Sequence, residues 1–171
     1  TFPAKNWTWG SFTYGADLNW NVVFAPPHKW WNWFFLSSRR DLDWKMVQAH
    51  SDVKWDWAAL SNHTNIDWDV VRSLPAENWE WIFFSRNPKL PWDLVASFPE
   101  KPWNWYDLSF RSPPWDLVLT NHSKPWDWKK LSHEHTLNWK VVQALPHKRW
   151  DWKVLSEKVN LNWEILDDHP D

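Results

Sequence analysis

The 171-residue chain contains no cysteine and only two glycines, Gly10 and Gly15. The absence of cysteine excludes disulfide bonds and thiolate chemistry, and it is compatible with a reducing compartment. The scarcity of glycine argues against tight β-turns, which commonly need residues at positive φ. No apolar stretch approaches the roughly 20 residues that a transmembrane helix needs. With 19 basic and 21 acidic residues, the chain also lacks the excess of one charge that would attract nucleic acid or an anionic membrane.

The chain is instead rich in tryptophan, and its 22 tryptophans follow a repeat of about 24 residues. Each repeat contains a Trp-x-Trp pair, and a single Trp follows the pair about eleven residues later. Only Trp30 lies outside this pattern. A fixed period of this length is typical of repeat arrays, in which each repeat buries its apolar face against its neighbours. The sequence therefore predicts a single repeat array over residues 1–171, with seven repeats that begin near residues 7, 31, 55, 79, 103, 126 and 150, the first of them degenerate.

Each repeat contains two copies of a shorter template that is typical of a helix start. The template is a large apolar residue, Asp or Asn, Trp, two further residues and Leu or Val, as in Trp55–Leu60 and Ile66–Val71. Asp or Asn at this position can cap the helix by accepting a hydrogen bond from the unpaired amides of its first turn. The apolar residues on either side of the cap match a hydrophobic staple, and prolines follow several caps by eight residues. The pattern predicts an all-α solenoid in which each repeat is a pair of helices of about eight residues.

The alternative is a β-solenoid, because Trp-x-Trp has the period of a strand and Trp favours strands. The scarcity of glycine and the regular Asp, Asn and Pro next to Trp favour helices. Helices this short are unstable alone, so packing between them must stabilise the fold. We therefore predict that in-frame tryptophans form the repeat core. The predicted core residues are Trp33, Trp44, Trp57, Trp68, Trp81, Trp92, Trp105, Trp115, Trp128, Trp139, Trp152 and Trp163.

A more specific pattern occurs in Lys101–Ser109 and Lys124–Ser132, which both read Lys-Pro-Trp-Asn/Asp-Trp-x-x-Leu-Ser. The second of these segments leads into Asn138–Gln143. The pattern resembles the tandem Trp-rich repeats of uncharacterised proteins from giant and other large DNA viruses, and the likeness covers about residues 28–171. The first repeat departs from it, since it lacks the Leu-Ser and contains both glycines. The resemblance implies a viral source and a repeat scaffold, and it transfers no catalytic residue to this chain.

A hydroxyl residue recurs in every repeat after the Leu or Phe that follows the Trp pair. The residues are Thr13, Ser37, Ser61, Ser85, Ser109, Ser132 and Ser156. A nucleophile needs a base within hydrogen-bond reach, yet no His or acidic residue recurs at a fixed distance from these hydroxyls. The pattern favours a structural role, in which the hydroxyl bonds to the helix carbonyl four residues earlier or closes the helix end.

The eight histidines are scattered along the chain, and His133-Glu134-His135 is their only cluster. Its two-residue spacing does not place both histidines on one face of a helix, so it is a weak metal motif. We predict a solvated loop there, and no catalytic residue, cofactor or metal site in the chain.

A lysine stands two residues before five of the seven Trp pairs. These residues are Lys5, Lys29, Lys101, Lys124 and Lys148, and we call them the lysine edge. In a stacked array they would line one edge and could bind a polyanion next to aromatic rings. The alternative is that each lysine lies near the negative end of the preceding helix, and Glu77 interrupts the row.

The two positions after the second Trp of each pair vary most along the chain. They are doubly aromatic at Phe34-Phe35 and doubly basic at Lys129-Lys130. If they face outward, the apolar members form a patch of the kind that marks an interaction site. The residues of this candidate partner patch are Phe34, Phe35, Ala58, Ala59, Ile82 and Phe83. The alternative is that curvature between repeats buries these side chains in the core.

These features favour a non-enzymatic scaffold that binds another protein or itself, or that serves as a structural element of a virus. The alternative is a polymer-binding module for carbohydrate or single-stranded nucleic acid, which would use exposed Trp faces and the lysine edge. No signal peptide or transmembrane segment is seen, so we expect no membrane partner. An intracellular location in a host cytoplasm, or the virion, is favoured.

Overall fold

The computed structural model describes residues 18–24 and 31–158. The chain divides into two compact units, Thr1–Phe84 and Ser85–Asp171, which we call the first and second units. Across the described residues the regular structure consists of twelve short helices without a strand, so the all-α prediction is confirmed. The first six helices are α1 Trp20–Val23, α2 Trp33–Ser37, α3 Trp44–Ala49, α4 Trp57–Ser61, α5 Trp68–Ser73 and α6 Trp81–Arg86. The last six are α7 Trp92–Ser97, α8 Trp105–Leu108, α9 Trp115–Thr120, α10 Trp128–Ser132, α11 Trp139–Ala144 and α12 Trp152–Glu157.

Every one of these helices begins at an in-frame tryptophan, and the residue before it acts as the cap wherever it is Asp or Asn. At all nine such caps in the described residues, the side-chain oxygen accepts a hydrogen bond from the amide of the second or third helical residue, as the template predicts. Pro91 and Pro114 precede α7 and α9 without such a bond. The nine caps are Asn19, Asn32, Asp43, Asp56, Asp67, Asn104, Asp127, Asn138 and Asp151.

The helices contain four to six residues, so the predicted length of about eight is wrong. The prediction assumed that a proline itself ends the helix. In α5, α7 and α11 the residue before the proline has already left the helical region, with ψ of 52° at Leu74, 56° at Phe98 and 55° at Leu145. The proline ring disfavours helical angles in the residue that precedes it, which accounts for the earlier ending.

Equivalent helices of consecutive repeats pack on each other in the first unit, α2 on α4 and α3 on α5. Each helix contributes at least one apolar side chain to the interior, such as Phe84 in α6, and Leu60 and Val71 are fully buried aliphatic examples. The second unit has equivalent fully buried residues in Leu108 and Val118. Since helices this short cannot persist alone, this packing between repeats stabilises them.

One repeat in the second unit is a residue shorter than the others. Trp105 and Trp115 are ten residues apart, whereas Trp128 and Trp139 are eleven apart. The connection between α8 and α9 absorbs the difference, because α8 ends early at Leu108 and Ser112 adopts a φ of 50°. This left-handed conformation costs a non-glycine residue roughly 1–2 kcal/mol.

Replacing Asp127 by alanine is expected to lower the free energy of unfolding by about 1 kcal/mol. The Asp127 side chain accepts the Lys130 amide at 3.0 Å, and alanine leaves that amide unpaired. Urea unfolding followed by circular dichroism would measure the loss. Asp127→Asn is the matched control and should stay within about 0.5 kcal/mol of the parent chain, because Asn caps as well as Asp. Equal losses in the two variants would contradict the capping explanation.

Candidate functional site

The first Trp of the pair is deeply buried in five described repeats, with 4 or 5 % of its surface exposed, whereas Trp31 is half-buried. In these five repeats the indole Nε1 donates to the carbonyl of the residue five positions earlier, at distances of 2.8–3.0 Å. That residue ends the preceding helix, where carbonyls lack helical partners, so the indole closes the helix. The five residues are Trp55, Trp79, Trp103, Trp126 and Trp150. The predicted core omits them, because the template treats them only as members of a staple.

In four repeats, the second Trp of the pair packs edge to face against the first Trp of the next repeat. Ring centroids lie 4.8–5.1 Å apart, a geometry worth about 0.5–1.5 kcal/mol beyond burial. The pairs are Trp33–Trp55, Trp57–Trp79, Trp105–Trp126 and Trp128–Trp150. Trp81, Trp105 and Trp128 are buried, and Trp33 and Trp57 are half-buried.

Trp152 is 50 % exposed, so its assignment to the core is wrong. Trp105 and Trp128 each pack against a Trp of the next repeat, whereas no ring of the described residues packs against Trp152. Trp163 lies outside the described residues.

The single Trp of each repeat contacts the following repeat through its indole nitrogen in two cases. Trp44 Nε1 donates to the Asn65 carbonyl at 2.7 Å, and Trp115 Nε1 donates to Thr136 Oγ1 at 3.0 Å. Trp44 is buried. The equivalent residues Trp68, Trp92, Trp115 and Trp139 are half-buried.

The recurring serine joins consecutive repeats through a bond that the sequence pattern does not predict. Its Oγ accepts the backbone amide of the residue before the first helix of the next repeat, at 2.8–3.0 Å. These residues, which we call the serine ladder, are Ser37, Ser61, Ser85, Ser109 and Ser132, and all are buried. Three of them also donate to the Trp carbonyl four residues earlier, as predicted. A hydroxyl that donates and accepts inside the core is a structural group, so these serines fasten one repeat to the next.

Ser156 is exposed and donates to the Lys153 carbonyl at 2.8 Å. Thr13 lies outside the described residues.

In three repeats, the polar side chain two residues after the recurring serine reaches back to the preceding repeat. His63 Nδ1 accepts the Asn65 amide at 3.2 Å, so its Nε2 carries the proton and donates to the Arg39 carbonyl at 2.8 Å. Lys158 Nζ donates to the Glu134 carbonyl at 2.6 Å. The residue type differs between repeats, and for that reason the sequence pattern does not reveal the contact.

Arg111 stands at the same position in its own repeat. Its Nη2 donates to the carbonyls of Pro88 and Leu90 at 3.2 and 3.1 Å, and its guanidinium lies 5.1 Å from the Trp92 ring centroid. Burial lowers the pKa of Arg111 and also that of Lys158, where the nearby Glu134 carboxylate opposes the shift.

The lysine edge contacts the tryptophan framework. Lys124 Nζ lies over the Trp105 ring at 5.5 Å, and Lys148 Nζ lies over the Trp128 ring at 5.2 Å. Because Trp105 and Trp128 are also buried, these cation–π contacts leave no ring face exposed for the polymer-binding alternative. Lys101 is half-buried. Lys5 and Lys29 lie outside the described residues.

The position directly after the second Trp is exposed in all six described repeats, and we call it the variable row. Its members are Phe34, Ala58, Ile82, Tyr106, Lys129 and Lys153. Phe34 is 54 % exposed and Ile82 is 45 % exposed. At the next position Phe83 is 40 % exposed, whereas Phe35 and Ala59 are half-buried. The large side chains of the variable row therefore face solvent rather than the core.

Four of the six residues of the candidate partner patch line one groove of about 490 Å³ in the first unit. Ala58 and Ala59 belong to one repeat, and Phe34 and Phe83 belong to the repeats before and after it. Phe35 and Ile82 are not among its lining residues. The remaining lining is polar and consists of Ser38, Arg40, Asp56, Asn62, His63 and Thr64.

Three of the polar lining residues are already engaged in the fold, and Ser38 is one of them, since its Oγ donates to the Phe34 carbonyl at 2.8 Å. Asp56 caps α4 by accepting the Ala59 amide at 2.8 Å, and both ring nitrogens of His63 have hydrogen-bond partners. Arg40 is exposed and forms no ion pair with any residue of the described ranges. The groove therefore combines aromatic side chains with a cation that is available to a ligand.

No protein-family model, curated protein or solved structure matches this chain. Its function must therefore be inferred from its own side chains.

In the described part of the chain, no three His, Asp or Glu side chains come together as a metal ion would require. His133 and His135 are exposed, whereas Glu134 between them is buried and lies 3.8 Å from Lys130 Nζ. None of the described helices has the length and apolarity needed to cross a bilayer.

Proposed function

We propose that the chain is a solenoid scaffold of seven repeats, without catalytic activity, that binds a segment of another protein in the groove between Phe34 and Phe83. The observation that carries this proposal is the contrast between the framework and the variable row. Framework tryptophans and serines are largely buried and bond to each other, whereas the variable row is exposed in every described repeat. In repeat proteins a constant framework supports an extended surface, and the residues that vary on that surface determine what is bound.

The chemistry of the groove indicates the kind of segment. Phe34 and Phe83 present aromatic surface, and the small side chains of Ala58 and Ala59 leave room between them. This shape fits the apolar side chains of an amphipathic helix or an extended strand. Arg40 adds a positive charge within the same groove, so a partner with an acidic residue beside its apolar side chains would fit best.

The likeness to the Trp-rich repeats of large DNA viruses supports a viral source for this scaffold. A structural role in a virus particle would use the same repeat framework. The polymer-binding alternative has less support, because apart from Trp152 the rings of the described tryptophans are buried or half-buried. An exposed stacking platform would need free ring faces.

Replacing Phe34 and Phe83 together by lysine is expected to preserve the fold and to weaken partner binding at least about 100-fold. Lys129 and Lys130 occupy the equivalent positions of another repeat, so lysine is compatible with the framework there. Peptides would be selected from a random phage-displayed library on the parent chain. Their affinity for each variant would then be measured by fluorescence anisotropy.

Ile82→Lys is the matched control for the double variant. Ile82 is exposed next to Phe83 but does not line the groove, so this variant should bind the selected peptides normally. Circular dichroism would establish whether each variant folds. The proposal fails if the double variant unfolds, if it binds the selected peptides as tightly as the parent chain, or if selection enriches no peptide.

A further inference from the structure

In the second unit, the variable row carries an exposed aromatic residue that pairs with a neighbour. Tyr106 is 55 % exposed and Phe110 is 51 % exposed, and their ring centroids lie 5.2 Å apart at an interplanar angle of 56°. Framework tryptophans bury their rings against each other, whereas these two rings leave about half of their surface in water. Exposed aromatic surface of this size, beside charged groups, is typical of a binding site.

Lysines continue the variable row beyond this aromatic pair. Lys129 and Lys153 occupy the position of Tyr106 in the next two repeats, and both are exposed. Neither forms an ion pair with another residue of the described ranges. Lys130 Nζ lies 5.6 Å from the Phe110 ring centroid, so the aromatic and basic parts form one continuous surface.

The local charge is positive although the chain as a whole is slightly acidic. Residues 124–158 contain eight Lys and Arg against four Asp and Glu, a surplus of four positive charges, whereas the whole chain carries −2. Because charges are screened over about 8–10 Å at physiological salt, a ligand at this surface would respond to the local surplus.

Four acidic groups near this surface have partners within the fold, whereas Glu157 is exposed four residues after Lys153. Asp107 pairs with Arg86 at 2.7 Å, and Glu134 lies 3.8 Å from Lys130. Asp127 and Asp151 accept the cap amides of their helices. Their negative charge is therefore partly compensated within the fold, which leaves Lys129 and Lys153 available to an anion.

We propose that Tyr106, Phe110, Lys129, Lys130 and Lys153 form a second binding surface, and that its ligand is single-stranded nucleic acid. Exposed bases can stack on the two aromatic rings while the lysines bind the phosphates. A duplex would offer the phosphates but not the base faces. An acidic protein segment would offer carboxylates without a ladder of planar bases. This surface shares no residue with the groove, and the proposal for it does not depend on the function proposed for the groove.

The test is fluorescence anisotropy with a fluorescein-labelled oligothymidylate across a range of salt concentrations. The double variant Lys129→Glu with Lys153→Glu should weaken binding at least about tenfold. It should also make the slope of log binding constant against log salt concentration shallower by about 1.4, since each lost phosphate contact on a single strand removes about 0.7. Tyr106→Ala with Phe110→Ala should weaken binding about 5- to 100-fold and leave that slope unchanged, because stacking releases no counterions.

Lys45→Glu with Lys89→Glu is the charge-matched control, since both lysines are exposed and lie outside the surface. It should retain binding, and so should the Phe34 and Phe83 double variant, which separates this proposal from the groove. The proposal is overturned if the control loses as much affinity as the Lys129 and Lys153 variant, or if the aromatic variant binds normally. It is also overturned if a duplex of equal length or polyglutamate competes as well as unlabelled oligothymidylate. Circular dichroism would verify that each variant is folded.

Discussion

Replacing Trp126 by alanine is expected to lower the free energy of unfolding by about 3–5 kcal/mol. The side chain is almost completely buried, and its ring packs against Trp105 with the centroids 4.9 Å apart. Its indole nitrogen also donates to the Asn121 carbonyl at 3.0 Å, so the substitution leaves a cavity and removes one of the two hydrogen bonds that this carbonyl accepts. Equilibrium unfolding in urea, followed by circular dichroism, would measure the loss.

Two further variants define what this result means. Trp128→Ala should lose a similar amount, because Trp128 is buried against Trp150. Trp152→Ala, at an exposed position of the same register, should lose about 1 kcal/mol or less. If Trp126→Ala and Trp128→Ala melt at the temperature of the parent chain, the in-frame tryptophans do not form the core.

The second large effect is expected from Ser109→Ala, which should lower the free energy of unfolding by about 1–3 kcal/mol. The Ser109 hydroxyl accepts the Asp127 amide at 2.9 Å and donates to the Trp105 carbonyl at 2.9 Å. Alanine removes both bonds and leaves the amide of the next repeat without its partner. Because the change removes only one atom, little of this loss would come from packing.

Ser156→Ala provides the matched control for the serine ladder. Ser156 has the same place in the sequence pattern, yet its hydroxyl is exposed and donates only to the Lys153 carbonyl in the described structure. Its loss should stay within about 0.5 kcal/mol. If the two serine variants lose equal stability, the bond from Ser109 to the next repeat contributes nothing measurable.

The starts of the helices could be predicted from the sequence because capping is local. Asp56 and the amide that it caps, that of Ala59, are three residues apart, so the pattern contains both partners. The ends of the helices could not be predicted equally well. They depend on a proline that disfavours helical angles in the residue before it. They also depend on the indole of a Trp in the next repeat, which donates to the carbonyl at the helix end.

The contacts between repeats were harder to predict, for two different reasons. The partner of Ser61 is the amide of Glu80, 19 residues away, and only the constant spacing could have revealed it. His63, Arg111 and Lys158 make comparable contacts with unlike side chains, so no recurring residue type identifies them.

The candidate site was predictable only where it follows the repeat. Phe34, Ala58, Ala59 and Phe83 stand at fixed positions after the Trp pairs, and these four line the groove. Arg40 and Thr64 lie in connections whose sequence does not recur, so the polar part of the groove could not be predicted. Phe110, which completes the aromatic pair in the second unit, also lies in a connection rather than at one of the variable positions, so it could not be predicted either.

The shortened repeat shows which part of the pattern the fold requires. The bond from Ser109 to Asp127 spans 18 residues where its equivalents span 19, yet its length of 2.9 Å is the same as that between Ser132 and Asp151. The spacing from the start of α8 to the start of α9 is one residue shorter than that from α10 to α11, yet the framework bonds still join equivalent residues. A search for related proteins should therefore fix the distances within each helix start and allow gaps between them. A strict period of 24 residues would misalign even the repeats of this chain with one another.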